Sequence, residues 1–331
     1  MAKTRWGILG CSDFARRRAI PAMLEAPSVE LLAIASRADD KAERFRAAFH
    51  LPRAYDQYEK LLLDPDIQAL YIPLPNSMHA EWTVKAAEAG KHSLCEKPFT
   101  CTAEEAERAA LAASRRGVHT AEAFMWRFHA QHEKVREIID SGAIGPIRLI
   151  RLGFNFVITN KDSNIRLVPE LGGGCLLDLG CYIVSAARFY FDAEPRLVYA
   201  RAEFDPVHKV DTKVCALFEF PGGHAIMDCS FDLPPRRQLE IHGEKGTITF
   251  AQPWQPEPEA VIYVDDKPQM FPRQNHYATM FEHFSRCFSA GEAPRYAAVD
   301  AVRQMQVIDA IRRSIITGQP QLLEPGGSGL C

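Results

Sequence analysis

Short apolar runs alternate with helical patterns through the first third of the chain. "RWGILG", "VELLAIAS", "IQALYIPLP", "KHSLCEKPF" and "VHTAEAF" read as strands. Between them, "FARRRAIPAMLEA", "DDKAERFRAAF", "HAEWTVKAAEAG" and "AEEAERAALAASRRG" repeat apolar residues at helical spacing. Thr102 and Glu105 form a capping box for the last of these, and Gly90 and Gly117 fit helix ends. This rhythm predicts βαβ units: a parallel sheet with helices on both faces.

The pattern changes near Phe128. After one more helix, "AQHEKVREIIDSG", longer strands alternate in polarity: "IRLIRLGFNFVI", "RLVYARAEF", "TKVCALFEF", "HAIMDCSFD", "RQLEIHG" and "GTITF". "FPGGH" and "HGEKGT" fit hairpin turns. The expectation is a mostly antiparallel sheet, interrupted by a helix over "GGGCLLDLGCYIVSAARFYF" and followed by helices near Tyr277 to Ala290 and Val299 to Thr317. Two domains follow, residues 1–128 and 129–331, with "EPGGSGLC" as a loose tail. One face of the second sheet is expected to carry exposed apolar side chains, Val214, Ala216 and Phe218 or their alternates, and to join copies into a dimer or tetramer.

Bulk properties narrow the function. The 331 residues are 47% hydrophobic and 24% charged, with a net charge of −3. Nothing there points to nucleic acid or an anionic membrane. No apolar run reaches the roughly 18 residues of a spanning helix, and no signal-peptide layout opens the chain, so the expected location is the cytoplasm. The nine cysteines are scattered without a C-x-x-C pair. They read as core fillers, and no metal site is expected.

The first strand runs into Gly10-Cys11-Ser12-Asp13-Phe14-Ala15, a G-x-S-x-x-A variant of the dinucleotide turn. Gly10 permits the tight turn and Ala15 the close packing of helix on sheet. Ser12 replaces a glycine and adds a hydroxyl beside the phosphates. An NAD site places an acid at the end of the second strand. Here Ser36 and Arg37 stand there, and the first acid, Asp39, belongs to the next helix start. A hydroxyl and a guanidinium suit the 2′-phosphate of NADP.

The stretch "SLCEKPF" ends a strand in two charges, Glu96 and Lys97, followed by a proline. Ligands of open α/β sheets bind at such strand ends. Proline biases Lys97 away from helical geometry, so the chain is expected to be extended there with the ammonium presented.

These segments resemble the glucose–fructose oxidoreductase/inositol dehydrogenase/rhizopine-catabolism family, Gfo/Idh/MocA. "CEKPF" is similar to its E-K-P signature at the end of a Rossmann strand. "PLPNSMH" is similar to its P-x-x-x-H segment, "GAIGPIR" to the entry of its second domain, and "ELGGGCLLDLGCY" to its catalytic helix. The resemblance implies cofactor contacts from Pro73, Leu74, Asn76, His79, Glu96 and Lys97, and catalysis by Lys97, Asp178 and Tyr182. Asp178 and Tyr182 are four residues apart and share a helix face. The D-x-G-x-Y form resembles the branch holding glucose–fructose oxidoreductase, NADP-dependent xylose dehydrogenase, dihydrodiol dehydrogenase and sugar 3-ketoreductases. The proton is then moved by Tyr182 or by Lys97: in the first case the Lys97 ammonium favours the tyrosine's phenolate or polarises the substrate oxygen, and Asp178 orients the substrate and holds the lysine. Trp126, Arg127 and Arg166 are further candidates for lining the substrate pocket.

The implied activity is NADP-dependent hydride transfer at a CH–OH/C=O centre of a sugar or polyol, of the aldose dehydrogenase type. Nucleotide-sugar 3-ketoreduction is the alternative, and a non-catalytic NADP sensor is the rival of another class.

Overall fold

The computed structural model describes residues 3–38, 40–256 and 259–323. Asp39 and the "EPGGSGLC" tail lie outside the described residues. The chain divides into two compact units.

The first unit takes the chain through Met125 and then Asn275–Val302. Its strands are β1 (Thr4–Leu9), β2 (Val29–Ala35), β3 (Arg53–Tyr55), β4 (Ala69–Ile72), β5 (His92–Cys95) and β6 (Thr120–Glu122). The helices between them are α1 (Ile20–Glu25), α2 (Lys41–Phe49), α3 (Tyr58–Leu62), α4 (Asn76–Glu88) and α5 (Ala103–Arg116). The six strands are parallel, in the order β3-β2-β1-β4-β5-β6. That order reverses between β1 and β4, where a dinucleotide crevice opens at the carboxyl ends of the strands. The short β3 and α3 carry too few residues to register as a periodic pattern. The capping box holds: Thr102 accepts from the Glu105 amide at 3.2 Å, and the Glu105 carboxylate accepts from the Cys101 amide at 2.9 Å.

The second unit comprises Trp126–Gln274 and the chain from Arg303. It contains α6 (Ala130–Asp140), β7 (Ile147–Asn155), α7 (Cys181–Phe191), β8 (Leu197–Phe204), β9 (Asp211–Phe220), β10 (Gly223–Ser230), β11 (Arg236–Gly243), β12 (Thr247–Phe250), β13 (Ala260–Val264) and β14 (Lys267–Phe271). Late in the chain follow α8 (His276–Ala290), α9 (Ala298–Thr317) and β15 (Gln321–Leu322). The sheet has nine strands in the order β14-β13-β12-β11-β7-β10-β9-β8-β15, antiparallel except for β7 beside β10. Both predicted hairpin turns are present, between β9 and β10 and between β11 and β12. The last three strands escape the sequence pattern because they are short and partly exposed, β14 and β15 being the two edges of the sheet.

The division differs from a cut at 128/129 in one large respect: α8 belongs to the first unit. Trp6 of β1 explains it. Its indole N–H donates to Ser285 Oγ at 2.9 Å, and its ring packs against Phe281 and Phe288. Thr4 Oγ1 donates to the Ser285 carbonyl at 2.7 Å. A helix can bury its apolar stripe against any matching face, whatever its distance along the chain.

Val214, Ala216 and Phe218 are buried, so they lie on the helix-covered face of the second sheet. The open face carries their alternates. Tyr199, Leu217, Ile226, Arg151 and Glu240 form one row across β8, β9, β10, β7 and β11, with Leu217 and Ile226 exposed. Pro169–Phe191 is the segment among the described residues with the length and apolarity of a membrane span, and most of it is buried inside the unit as a core helix.

Candidate active-site residues

In the first unit the dinucleotide turn has the expected backbone. Gly10 has φ +111°, and a Cβ there would sit 2.9 Å from Leu74 Cδ2. The turn after β1 and the loop after β4 therefore meet at the switch point, with room for hydrogen alone. Ser12 Oγ accepts from the Ala15 amide at 3.0 Å, and Ala15 is buried. The helix opens with a π turn over Ala15–Ala19, a form that recurs at functional sites. Asp13 is exposed and paired with Arg16 and Arg17. Phe14 packs against Tyr277. Cys11 is a buried thiol whose pKa burial pushes up to about 11, which suits packing better than reactivity.

Ser36 and Arg37 sit at the carboxyl end of β2. Ser36 Oγ accepts from the Ala38 amide at 3.2 Å. The exposed Arg37 lies over the Tyr58 ring at 5.5 Å and reaches Met78 Sδ at 3.6 Å. Pro73, Leu74 and Asn76 form the loop after β4 and the first turn of α4. The Gly10 cradle and the basic end of β2 fit a dinucleotide with a 2′-phosphate.

Neighbouring side chains brace the backbone around Lys97. The Lys97–Pro98 bond is cis. Glu96 Oε2 accepts from the Lys97 amide at 3.2 Å, and Glu96 Oε1 accepts from the Tyr71 hydroxyl. The Phe99 amide donates to the buried Glu122 at 2.8 Å. His79 completes the support: its two ring nitrogens lie 2.7 Å from the Pro98 carbonyl and 2.8 Å from the Leu74 carbonyl. Only the imidazolium satisfies both carbonyls, while burial lowers the pKa of the ring. With both nitrogens on backbone, His79 braces the turn, and the expected cofactor contact gives way to that task. Tyr71 and Glu122 were not legible in the sequence. Both are apolar-strand positions, and the partners of the Tyr71 hydroxyl and of Glu122 Oε1 come together only in the folded sheet.

In the second unit, Asp178 lies in a π turn over Leu176–Gly180, and Tyr182 opens α7. Arg166 Nε donates to Asp178 Oδ2 at 2.6 Å. The glycine run makes this possible. Gly174 N donates to the Arg166 carbonyl at 2.9 Å, and a Cβ on Gly173 would lie 2.6 Å from that same oxygen. Asp211, another residue without a sequence signal, accepts from the Leu176 amide at 2.7 Å and caps the helix. Tyr182 packs edge-on to Phe154 and against Trp254. Arg166 thus engages Asp178. Trp126 is fully buried among His132, Phe189 and Trp254. Arg127 is buried and donates to Ser185 Oγ at 2.7 Å. Both are core residues of this unit, not the pocket lining expected of them.

Comparison with known proteins matches residues 4–124 to the oxidoreductase family with an NAD-binding Rossmann fold, GFO_IDH_MocA, and residues 132–249 to the GFO/IDH/MocA C-terminal domain. The chain is 35% identical to a D-xylose 1-dehydrogenase (NADP(+)) of Haloferax volcanii, across 95% of this chain and 98% of that protein. It is 34% identical to a dTDP-3,4-didehydro-2,6-dideoxy-alpha-D-glucose 3-reductase of Actinomadura kijaniata, across 93% and 94%. The crystal structure of a 3-ketoreductase from Actinomadura kijaniata with NADP and TDP-benzene superimposes with a TM-score of 0.88 at 33% identity, covering 95% of this chain and 98% of that one.

Proposed function

The chain belongs to the Gfo/Idh/MocA family of oxidoreductases, and from that premise we propose NADP-dependent hydride transfer at a CH–OH/C=O centre of a sugar or polyol. The observation that carries the reading is the pair Asp178 and Tyr182 on one helix, its entry fixed by Arg166 and Asp211. The relatives named for xylose oxidation and for sugar 3-ketoreduction support the substrate class.

The first unit holds the dinucleotide through Gly10, Ser12, Ser36, Arg37 and the loop after β4. When bound, the nicotinamide supplies the hydride donor or acceptor. The chain's own groups handle the proton. In oxidation the Tyr182 oxygen takes the substrate hydroxyl proton, and in reduction it returns one to the carbonyl oxygen. Asp178 orients the hydroxyl, and the Lys97 ammonium stabilises negative charge on oxygen. Aldose oxidation is the main version. Ketoreduction of a nucleotide-linked sugar is the second, favoured by the 3-ketoreductase solved with NADP and TDP-benzene. The proposal extends to a cytoplasmic enzyme that assembles through the open face of its second sheet.

The test is NADPH oxidation and NADP reduction with a panel of free and nucleotide-linked sugars and keto-sugars. Tyr182→Phe keeps the ring and its packing. It is expected to lower turnover by about 10²–10⁴ while NADPH affinity, read by fluorescence, changes little. Near wild-type turnover in that variant refutes the role of Tyr182.

A further inference from the structure

Arg166 is fixed through side chain and backbone together. Its Nε donates to Asp178, its guanidinium lies 5.9 Å from the Phe156 ring centre, its amide donates to Asn164 Oδ1 at 3.1 Å, and its carbonyl accepts from Gly174. Its side chain stays 43% exposed, while that of Asp178 is 13% exposed. Asp178 and Tyr182 share a helix face. An uncompensated carboxylate on the same helix face opposes a phenolate by like-charge repulsion. A guanidinium locked onto the carboxylate cancels that repulsion and leaves positive charge on the same side.

We propose that Arg166 is a positioning residue that sets the ionisation of Tyr182 by neutralising Asp178. The proposal rests on Tyr182 being the acid/base. The Arg166 pKa agrees with the geometry: the Asp178 carboxylate raises it above its ordinary value, and Tyr182 adds to the effect. Arg166 from the preceding loop interacts electrostatically with Tyr182, Asp178 shares its helical segment, and Phe154 from β7 and Trp254 from the loop after β12 pack on its ring. Neither of the last two carries charge.

The experiment is a spectroscopic titration of tyrosinate absorbance in the cofactor-free protein, with pH–rate profiles alongside. Subtracting Tyr182→Phe isolates one of the nine tyrosines. In wild type the isolated step is expected below the free value of about 10. Arg166→Gln is expected to move it up by roughly one pH unit, a modest shift because the exposed guanidinium is partly screened. Arg166→Lys restores most of the wild-type position. Asp178→Asn moves the step down, the opposite sign, and decides the matter should Arg166→Gln not fold. A Tyr182-dependent step that Arg166→Gln leaves in place, or that Asp178→Asn moves up, overturns the proposal for Arg166 and leaves Tyr182 as acid/base. An unchanged pH–rate profile in Tyr182→Phe overturns both.

Discussion

Tyr71→Phe removes one oxygen from the support of Lys97, and its cost depends on pH. The Tyr71 ring is buried and packs edge-on to Phe281 at 5.1 Å, a contact phenylalanine keeps. What disappears is the hydroxyl that donates to Glu96. Burial raises the Glu96 pKa above its ordinary 4.5, and Tyr71 opposes that rise. A carboxyl raised on folding contributes stability below its unfolded value and loses it as pH climbs through the folded one. Without the donor the folded value climbs further, so the variant suffers most where Glu96 is ionised. A hydrogen bond to a charged group is worth about 1.5–3 kcal/mol and a neutral one about 0.5–1.5 kcal/mol. For a unit of this size each kcal/mol is worth about 2–4 °C in Tm. The drop is therefore expected to grow from about 1–6 °C at pH 4, where the carboxyl is protonated, to about 3–12 °C once rising pH ionises it. Thermal unfolding by circular dichroism across a pH series measures it. A drop that stays constant as pH rises refutes the coupling between Tyr71 and the Glu96 charge.

Arg37→Ala is expected to weaken NADPH about 10- to 150-fold, the worth of one charge-assisted contact, with little change for NADH. Fluorescence titration with both cofactors checks it, and equal losses remove Arg37 from the 2′-phosphate site. The row of Tyr199, Leu217 and Ile226 on the open sheet face predicts a dimer or tetramer in solution. Leu217→Asp with Ile226→Asp should reduce the mass seen by light scattering, and a concentration-independent monomer mass in the wild type rules the interface out.

The features legible in the sequence are those written in local chemistry. Gly10 was readable because a tight turn after a strand needs a residue free of Cβ, and its positive φ follows. The Thr102 capping box was readable because both partners lie within a few residues. That Asp178 and Tyr182 lie on one helical segment was readable because the apolar spacing around them is helical. Apolar rhythm separated a parallel sheet from an antiparallel one.

Partnerships between distant residues were decided by the tertiary structure. Asp178 takes a hydrogen bond from Arg166, twelve residues upstream, and the glycine run between them permits that close approach. His79 was expected at a cofactor and spends both nitrogens on carbonyls instead. Trp126 and Arg127 follow a Rossmann strand in sequence yet belong to the core of the second unit. Helix α8 returns to the first unit because Trp6 and Ser285 match, although 279 positions separate them. Periodicity records which face of an element is buried. It carries no record of which of many apolar faces will cover it, or of which buried polar atoms will find each other once it is covered.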